Sequence, residues 1–253
     1  MMDDKIRQLN EWIRESSRIV FFGGAGVSTA SGIPDFRSKD GLYNTPSVGF
    51  EAYQPEYLLS NRCLVHEPKV YFEFHRQKMD TRKIKPNHAH RYLAELEKTG
   101  KLTGVVTQNI DGLHQKAGSR KVYEIHGSAL RNYCMKCGKI YPSDYVFESK
   151  EPVPHCECGG VIRPDITLYG ESLPEDAVAG AVSVLSGADM LIIGGTSLTV
   201  YPAASFINYF GGKYLAVINR DPLDVHIGKN VLNITEDIDR VFAGLAEMEN
   251  MTL

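Results

Sequence analysis

Four of the five cysteines fall into two close pairs, Cys134-x-x-Cys137 and Cys156-x-Cys158, with 18 residues between the pairs. That spacing points to one zinc ion, because two close thiolate pairs can complete a tetrahedron around the cation. The second pair is one residue shorter than the usual ribbon form, which leaves His155 as a substitute for one of its thiols. Two disulfides are the competing reading, disfavoured in a reducing compartment. Four thiolates leave no open coordination position, so such a zinc holds structure and activates no water. Cys63 stands apart and is read as a buried, inert thiol.

A second candidate for chemistry is Gly24-Ala25-Gly26, which comes directly after the β-branched and aromatic run Arg18–Phe22 and Gly23. Glycines after a strand let backbone approach a pyrophosphate, although a bare strand–helix turn needs them too. The dehydrogenase fingerprint expects a third glycine where Thr29 stands, and an acidic residue about 20 positions on, which is missing. The chain instead continues into a loop bearing Asp35-Phe36-Arg37. These residues suit a lid in which a ring covers a flat group and a guanidinium meets phosphate.

The elements that must position these residues alternate. Ile6, Leu9 and Ile13 predict a helix over Asp3–Ser16; Asn87 caps a second helix bearing Ala89, Leu93 and Leu96, stopped by Gly100. A third runs from Pro174 to Gly187, and Ile238, Val241, Phe242 and Leu245 mark the last. Between them Leu102–Thr107, Met190–Ile193 and Leu215–Ile218 read as buried parallel strands. The fold class is therefore α/β: a doubly wound parallel, Rossmann-like sheet, with ligands expected beyond the strand ends. Four strand ends carry glycine or polar residues: 23–26, 107–111, 194–197 and Asn219-Arg220. Residues 1–37, 86–130 and 166–253 are assigned to this Rossmann-like domain, and 38–85 with 131–165 to a smaller inserted module, helical plus zinc ribbon.

Composition bounds the rest. The 253 residues are 43% hydrophobic and 23% charged, which argues against disorder. Lys+Arg number 28 against Asp+Glu 31, so direct nucleic-acid binding through bulk charge is not expected. The apolar runs are strand-sized and Met1–Arg18 has no apolar signal core, so no membrane association is expected and the location is read as cytoplasmic.

Gly24-Ala-Gly-Val-Ser-Thr-Ala-Ser-Gly-Ile-Pro-Asp-Phe-Arg-Ser38 resembles the first signature of the sirtuins, NAD-dependent protein deacylases. Thr107-Gln-Asn-Ile-Asp-Gly-Leu-His114 resembles the second, and Glu124-Ile-His-Gly127 the segment carrying that family's catalytic histidine. Gly195–Pro202 and Asn219-Arg220 are similar to its later NAD contacts. The likeness runs in order from about Ile19 to the C-terminus.

The resemblance implies a reaction. The acyl-lysine amide oxygen attacks ribose C1′ as nicotinamide leaves, the 2′-hydroxyl attacks the resulting imidate carbon, and water completes the release of lysine and 2′-O-acyl-ADP-ribose. His126 would be the base, acting through the ribose hydroxyls, a task suited to a pKa near neutrality. Ala25, Thr29, Phe36 and Arg37 would contact NAD, with Gln108, Asn109, Ile110 and Asp111 around nicotinamide and its ribose. Thr196, Ser197 and Asn219 would meet phosphate or the adenine ribose, and Asp237 and Ile238 the adenine. The acetyl-lysine peptide or protein would pair as a strand with Arg163–Glu171, meeting Thr167, Leu168 and Tyr169. Thr167 departs from the valine common there.

Succinyl-preferring members carry a Tyr-x-x-Arg pair; here Phe72 and His75 occupy the corresponding positions, so deacetylation is expected over desuccinylation. Protein mono-ADP-ribosyl transfer from the same NAD site is the alternative activity, and a silent NAD-sensing scaffold the alternative class. His126 counts against the scaffold.

Overall fold

The computed structural model describes residues 2–36, 38–39, 41–44, 49–223, 225, 227, 230–251 and 253. The chain opens with α1 (Met2–Glu15), whose Ile6, Leu9 and Ile13 are buried, and β1 (Ile19–Gly23). Three helices come after it, α2 (Pro55–Leu58), α3 (Asn61–His66) and α4 (Pro68–Lys78). Next come α5 (His88–Lys98), β2 (Leu102–Thr107), α6 (Leu113–Ala117), β3 (Val122–Glu124) and β4 (Gly127–Cys134). β5 (Ile140–Pro142), α7 (Asp144–Phe147) and β6 (Ile162–Ile166) lead into α8 (Glu175–Gly187) and β7 (Met190–Gly194). The chain ends with β8 (Tyr214–Asn219), β9 (Asn230–Thr235) and α9 (Ile238–Met248).

Six strands form one sheet in the order β3-β2-β1-β7-β8-β9, every adjacent pair parallel. Counted along the chain, this is the doubly wound order 3-2-1-4-5-6. Its central strands are apolar throughout because both faces are covered. Ile19 and Phe21 of β1 pack with α1, α5 and α9, while Val20 and Phe22 pack on the opposite face with Ala181 and Leu185 of α8. The expected caps are in place: Asn87 accepts from the His90 N–H at 3.3 Å, closing a capping box at the start of α5.

A second sheet, β5-β4-β6, is antiparallel and packs with α2–α4 around Phe72, Phe74, Ile162 and Leu168. The two sheets are joined at a short link. β3 ends at Glu124, and β4 begins at Gly127. Gly127 has φ +75°, and a Cβ there would lie 2.1 Å from the Asp165 carbonyl oxygen, so only glycine fits after His126.

Candidate active site

The carboxyl ends of β1, β2, β7 and β8 open onto one cleft of about 540 Å³, which the β6 side of the small sheet faces across. Its floor lies at the paired ends of β1 and β7. There the Gly26 N–H donates to the Gly195 carbonyl at 2.8 Å, and a Cβ on Gly26 would stand 2.8 Å from the Gly195 Cα. The ends of β1 and β7 therefore pack backbone against backbone here, which is why glycine stands at 26.

His126 lines the cleft from the link between the sheets, half-buried. Its Nδ1 lies 2.9 Å from the Gln108 carbonyl oxygen, which can only accept, so Nδ1 carries the proton and Nε2 keeps its lone pair. Burial pushes the imidazole pKa below its ordinary value, against a smaller opposing pull from that carbonyl. Its backbone belongs to both sheets: the Ile125 N–H reaches the Thr107 carbonyl at 3.1 Å, and the His126 carbonyl accepts from the Thr167 N–H at 2.9 Å.

The β2 end supplies a polar network. Ser28 donates to Asp111 Oδ2 at 2.7 Å and accepts from Asn109 Nδ2 at 3.1 Å, with His90 Nε2 at 3.5 Å. Burial raises the Asp111 pKa, opposed by the Leu113 N–H and the Ser28 hydroxyl. Gln108 Nε2 donates to Thr196 Oγ1 at 3.0 Å, tying the β2 and β7 ends together.

Of the residues expected at the site, Ala25, Thr29 and Phe36 line the cleft, as do Gln108, Asn109, Ile110 and Asp111. So do Thr196, Ser197, Asn219 and Ile238, and on the facing side Thr167, Leu168 and Tyr169. Arg37 lies outside the described residues. Asp237 is set back: it caps α9 and holds Arg220, whose guanidinium lies 2.7 Å from Oδ2 and 3.1 Å from Thr29 Oγ1, so Arg220 faces the cleft in its place. Phe72 and His75 are fully buried in the small module and do not line the cleft. Sequence reasoning misses Ser28, although a hydroxyl two residues after the glycine turn is a signal for it. It also misses Met79 and Thr81 as cleft residues.

The four paired cysteines converge. All their sulfurs lie within 4.8 Å of one another, with Cys134–Cys158 at 3.5 Å and Cys137–Cys156 at 3.7 Å. A tetrahedron with bonds of about 2.3 Å has edges of about 3.8 Å, whereas a disulfide would bring sulfurs to about 2.05 Å. All five cysteines are free thiols. The donor set fits one zinc ion with no open position, and Tyr141 adds a hydroxyl bond to Cys156 Sγ at 3.0 Å. His155 lies outside this group, with Nδ1 3.8 Å from a Glu151 oxygen. Cys63 is buried, and desolvation pushes its thiol up to about 11.

Residues 24–202 match the Sir2 family. The chain belongs to that family. It is 53% identical over 218 residues to an NAD-dependent protein deacetylase of Clostridium acetobutylicum, covering 86% of this chain and 88% of the relative. A Clostridium perfringens protein of the same description is 51% identical over 243 residues, covering 95% and 98%. Among solved structures, a Sir2 variant with a deacetylated p53 peptide and acetyl-ADP-ribose superposes with a TM-score of 0.86 at 34% identity, covering 98% of this Sir2-family chain and 99% of the other.

Proposed function

We propose that this protein is an NAD-dependent protein-lysine deacetylase, which transfers the acetyl group of acetyl-lysine to ADP-ribose and releases nicotinamide and 2′-O-acetyl-ADP-ribose. The observation that carries the reading is the tautomer of His126. Its Nδ1 proton is committed to the Gln108 carbonyl, leaving a basic Nε2 in a cleft bounded by the strand-end glycines and the Thr167–Tyr169 segment.

When bound, NAD supplies an electrophilic ribose carbon and nicotinamide as leaving group. Gly24 and Gly26 would let its phosphates approach backbone. Asn109 and Asp111 would orient the nicotinamide end, with Ser28 fixing both side chains. Thr196, Ser197, Asn219 and Ile238 would hold the adenosine end, joined by Arg220. Phe36 would cover the nicotinamide, excluding water while His126 takes the ribose proton. Thr167, Leu168 and Tyr169 would present the acetyl-lysine peptide.

The same reading assigns residues 1–37, 86–130 and 166–253 to the NAD-binding domain, and 38–85 with 131–165 to the small zinc-bearing domain. No helix among the described residues is long and apolar enough to cross a membrane. A cytoplasmic location goes with this reading, since a zinc ion held by four thiolates suits a reducing compartment.

The test is nicotinamide release from NAD with acetylated, succinylated and unmodified lysine peptides. Acetyl-dependent release with acetyl-ADP-ribose as product is expected. ADP-ribose attached covalently to protein would instead identify a transferase.

A further inference from the structure

The segment after β6 turns sharply beside the cleft, and its turn is closed by two charges that the reaction does not use. Arg163 is 3% exposed. Its Nη1 donates to Glu171 Oε1 at 2.5 Å and its Nη2 to Oε2 at 3.0 Å. Oε1 takes a further bond from Asn61 Nδ2 at 2.8 Å, and Oε2 one from the Leu168 N–H at 2.9 Å. Arg163 also donates to the Ile166 and Pro164 carbonyls, at 2.6 and 3.1 Å. Burial pushes the Glu171 carboxyl up, but the bonds from Arg163, Leu168 and Asn61 outweigh it and hold the pKa below its ordinary value.

The backbone of this turn can be followed group by group. The Thr167 N–H goes to His126, the Leu168 N–H to Glu171, and the Tyr169 N–H to the Leu59 carbonyl at 3.0 Å. The Tyr169 carbonyl accepts from the Asn61 N–H at 3.1 Å, and the Leu168 carbonyl from the Glu171 N–H at 3.0 Å. Among the described residues, the Thr167 carbonyl and the Gly170 N–H have no such backbone partner. Those groups remain for a backbone lying in the cleft.

A buried ion pair adds little net stability, because desolvation offsets most of the Coulombic gain. What this pair does is geometric: two forks of hydrogen bonds hold both limbs of one turn. We propose that Arg163 and Glu171 are positioning residues for the acyl-lysine peptide, fixing residues 166–171 so that the open backbone groups stand at a set distance from His126. The inference rests on the deacetylase reading.

Glu171→Gln tests it, since the amide keeps the shape and an acceptor for Leu168 but loses the charge facing Arg163. The KM for an acetylated peptide should rise about tenfold, with kcat at saturating peptide and the KM for NAD within about twofold of wild type. An unchanged peptide KM overturns the inference, and so does a parallel change in kcat and both KM values, which marks a general structural role. If Glu171→Gln does not fold by its thermal transition, Asn61→Ala removes one bond to the same carboxylate and should raise the peptide KM about threefold; no rise there overturns the inference. Absence of turnover in wild type sinks the deacetylase reading and the inference with it, whereas wild-type turnover with no peptide KM effect sinks the inference alone.

Discussion

Replacing His126 by Asn separates its two ring nitrogens. The Asn amide nitrogen can take the place of Nδ1 and still donate to the Gln108 carbonyl, 2.9 Å from Nδ1 in the native protein. Nothing then occupies the place of Nε2. The link between the sheets keeps its bonds, while the base is gone. Loss of a positioned general base costs about 10²–10⁴ in rate, or about 3–5 kcal/mol of barrier.

The pH profile gives a second, independent prediction. Burial holds the His126 pKa below its ordinary 6.5, so the base is neutral through most of the physiological range. The acid limb of kcat/KM should therefore fall below pH 6.5, with a slope of one proton, and vanish in the variant. The assay is initial nicotinamide release with NAD held well below its KM, from about pH 5 to about pH 8. A His126→Asn protein within about tenfold of wild-type rate would refute the assignment of Nε2 as base. So would an acid limb that survives unchanged in the variant.

The geometry dictates three other outcomes. Cys134→Ser should lower bound zinc below one per chain by metal analysis, drop the unfolding midpoint by on the order of 5 °C or more, and reduce activity with it; tight stoichiometric zinc would refute the four-thiolate site. His75 and His114 are buried with no hydrogen-bond partner among the described residues, and desolvation lowers their pKa values from 6.5 to about 3 and about 4. Because these folded values lie below the unfolded one, their stabilisation is present above pH 6.5 and is lost as pH falls from there toward 4 and 3. The loss is about 2 kcal/mol per histidine by about pH 5. His75→Phe, whose ring can stack between Tyr71 and Phe147, should remove one of those protons from the slope of denaturant stability against pH; an unchanged slope contradicts this. Finally, the Tyr43 and Tyr169 hydroxyls meet at 2.9 Å, joining the Phe36 loop to the segment after β6. Tyr43→Phe and Tyr169→Phe should each weaken peptide-dependent NAD binding about 2–5-fold in calorimetry, and the double variant no further; additive effects would exclude coupling through that bond.

The strands legible in the sequence are those buried on both faces, whose continuous apolar runs need no partner to be recognised. β9 is not among them, because it alternates exposed and buried residues within Asn230–Thr235, as suits a strand at the sheet's edge. β4 and β6 are hidden for another reason: Gly127 pairs with Ile166, and no local pattern announces a partner that distant. The site divides the same way. The glycines, His126 and the Gln108–Asp111 run are legible through the motifs they share with the family, since each residue type taken singly would fit a structural role as well. Ser28 acquires its place only when folding brings it to Asp111, 83 positions away, and to Asn109. Arg163 and Glu171 are visible in the sequence only as the two ends of a peptide-binding stretch, and their pairing is a property of the turn between them.

The path of β4 shows how a zinc ion held by the four cysteines would bear on activity without touching the reacting atoms. The strand starts directly after His126 and runs 8 residues to Cys134, the first thiol of the metal site. At about 3.3 Å per residue that places the sulfurs on the order of 20 Å from the imidazole, allowing for the irregular register at Ser128–Asn132. No group at that distance polarises a carbonyl or activates a water in the cleft. What passes along β4 is position. β4 pairs with β6, and the peptide segment leaves β6 at Ile166, so the zinc knuckle ends the sheet whose other end carries Thr167. Loosening the knuckle therefore acts on peptide placement first, and on His126 only through the Thr167 bond to its carbonyl.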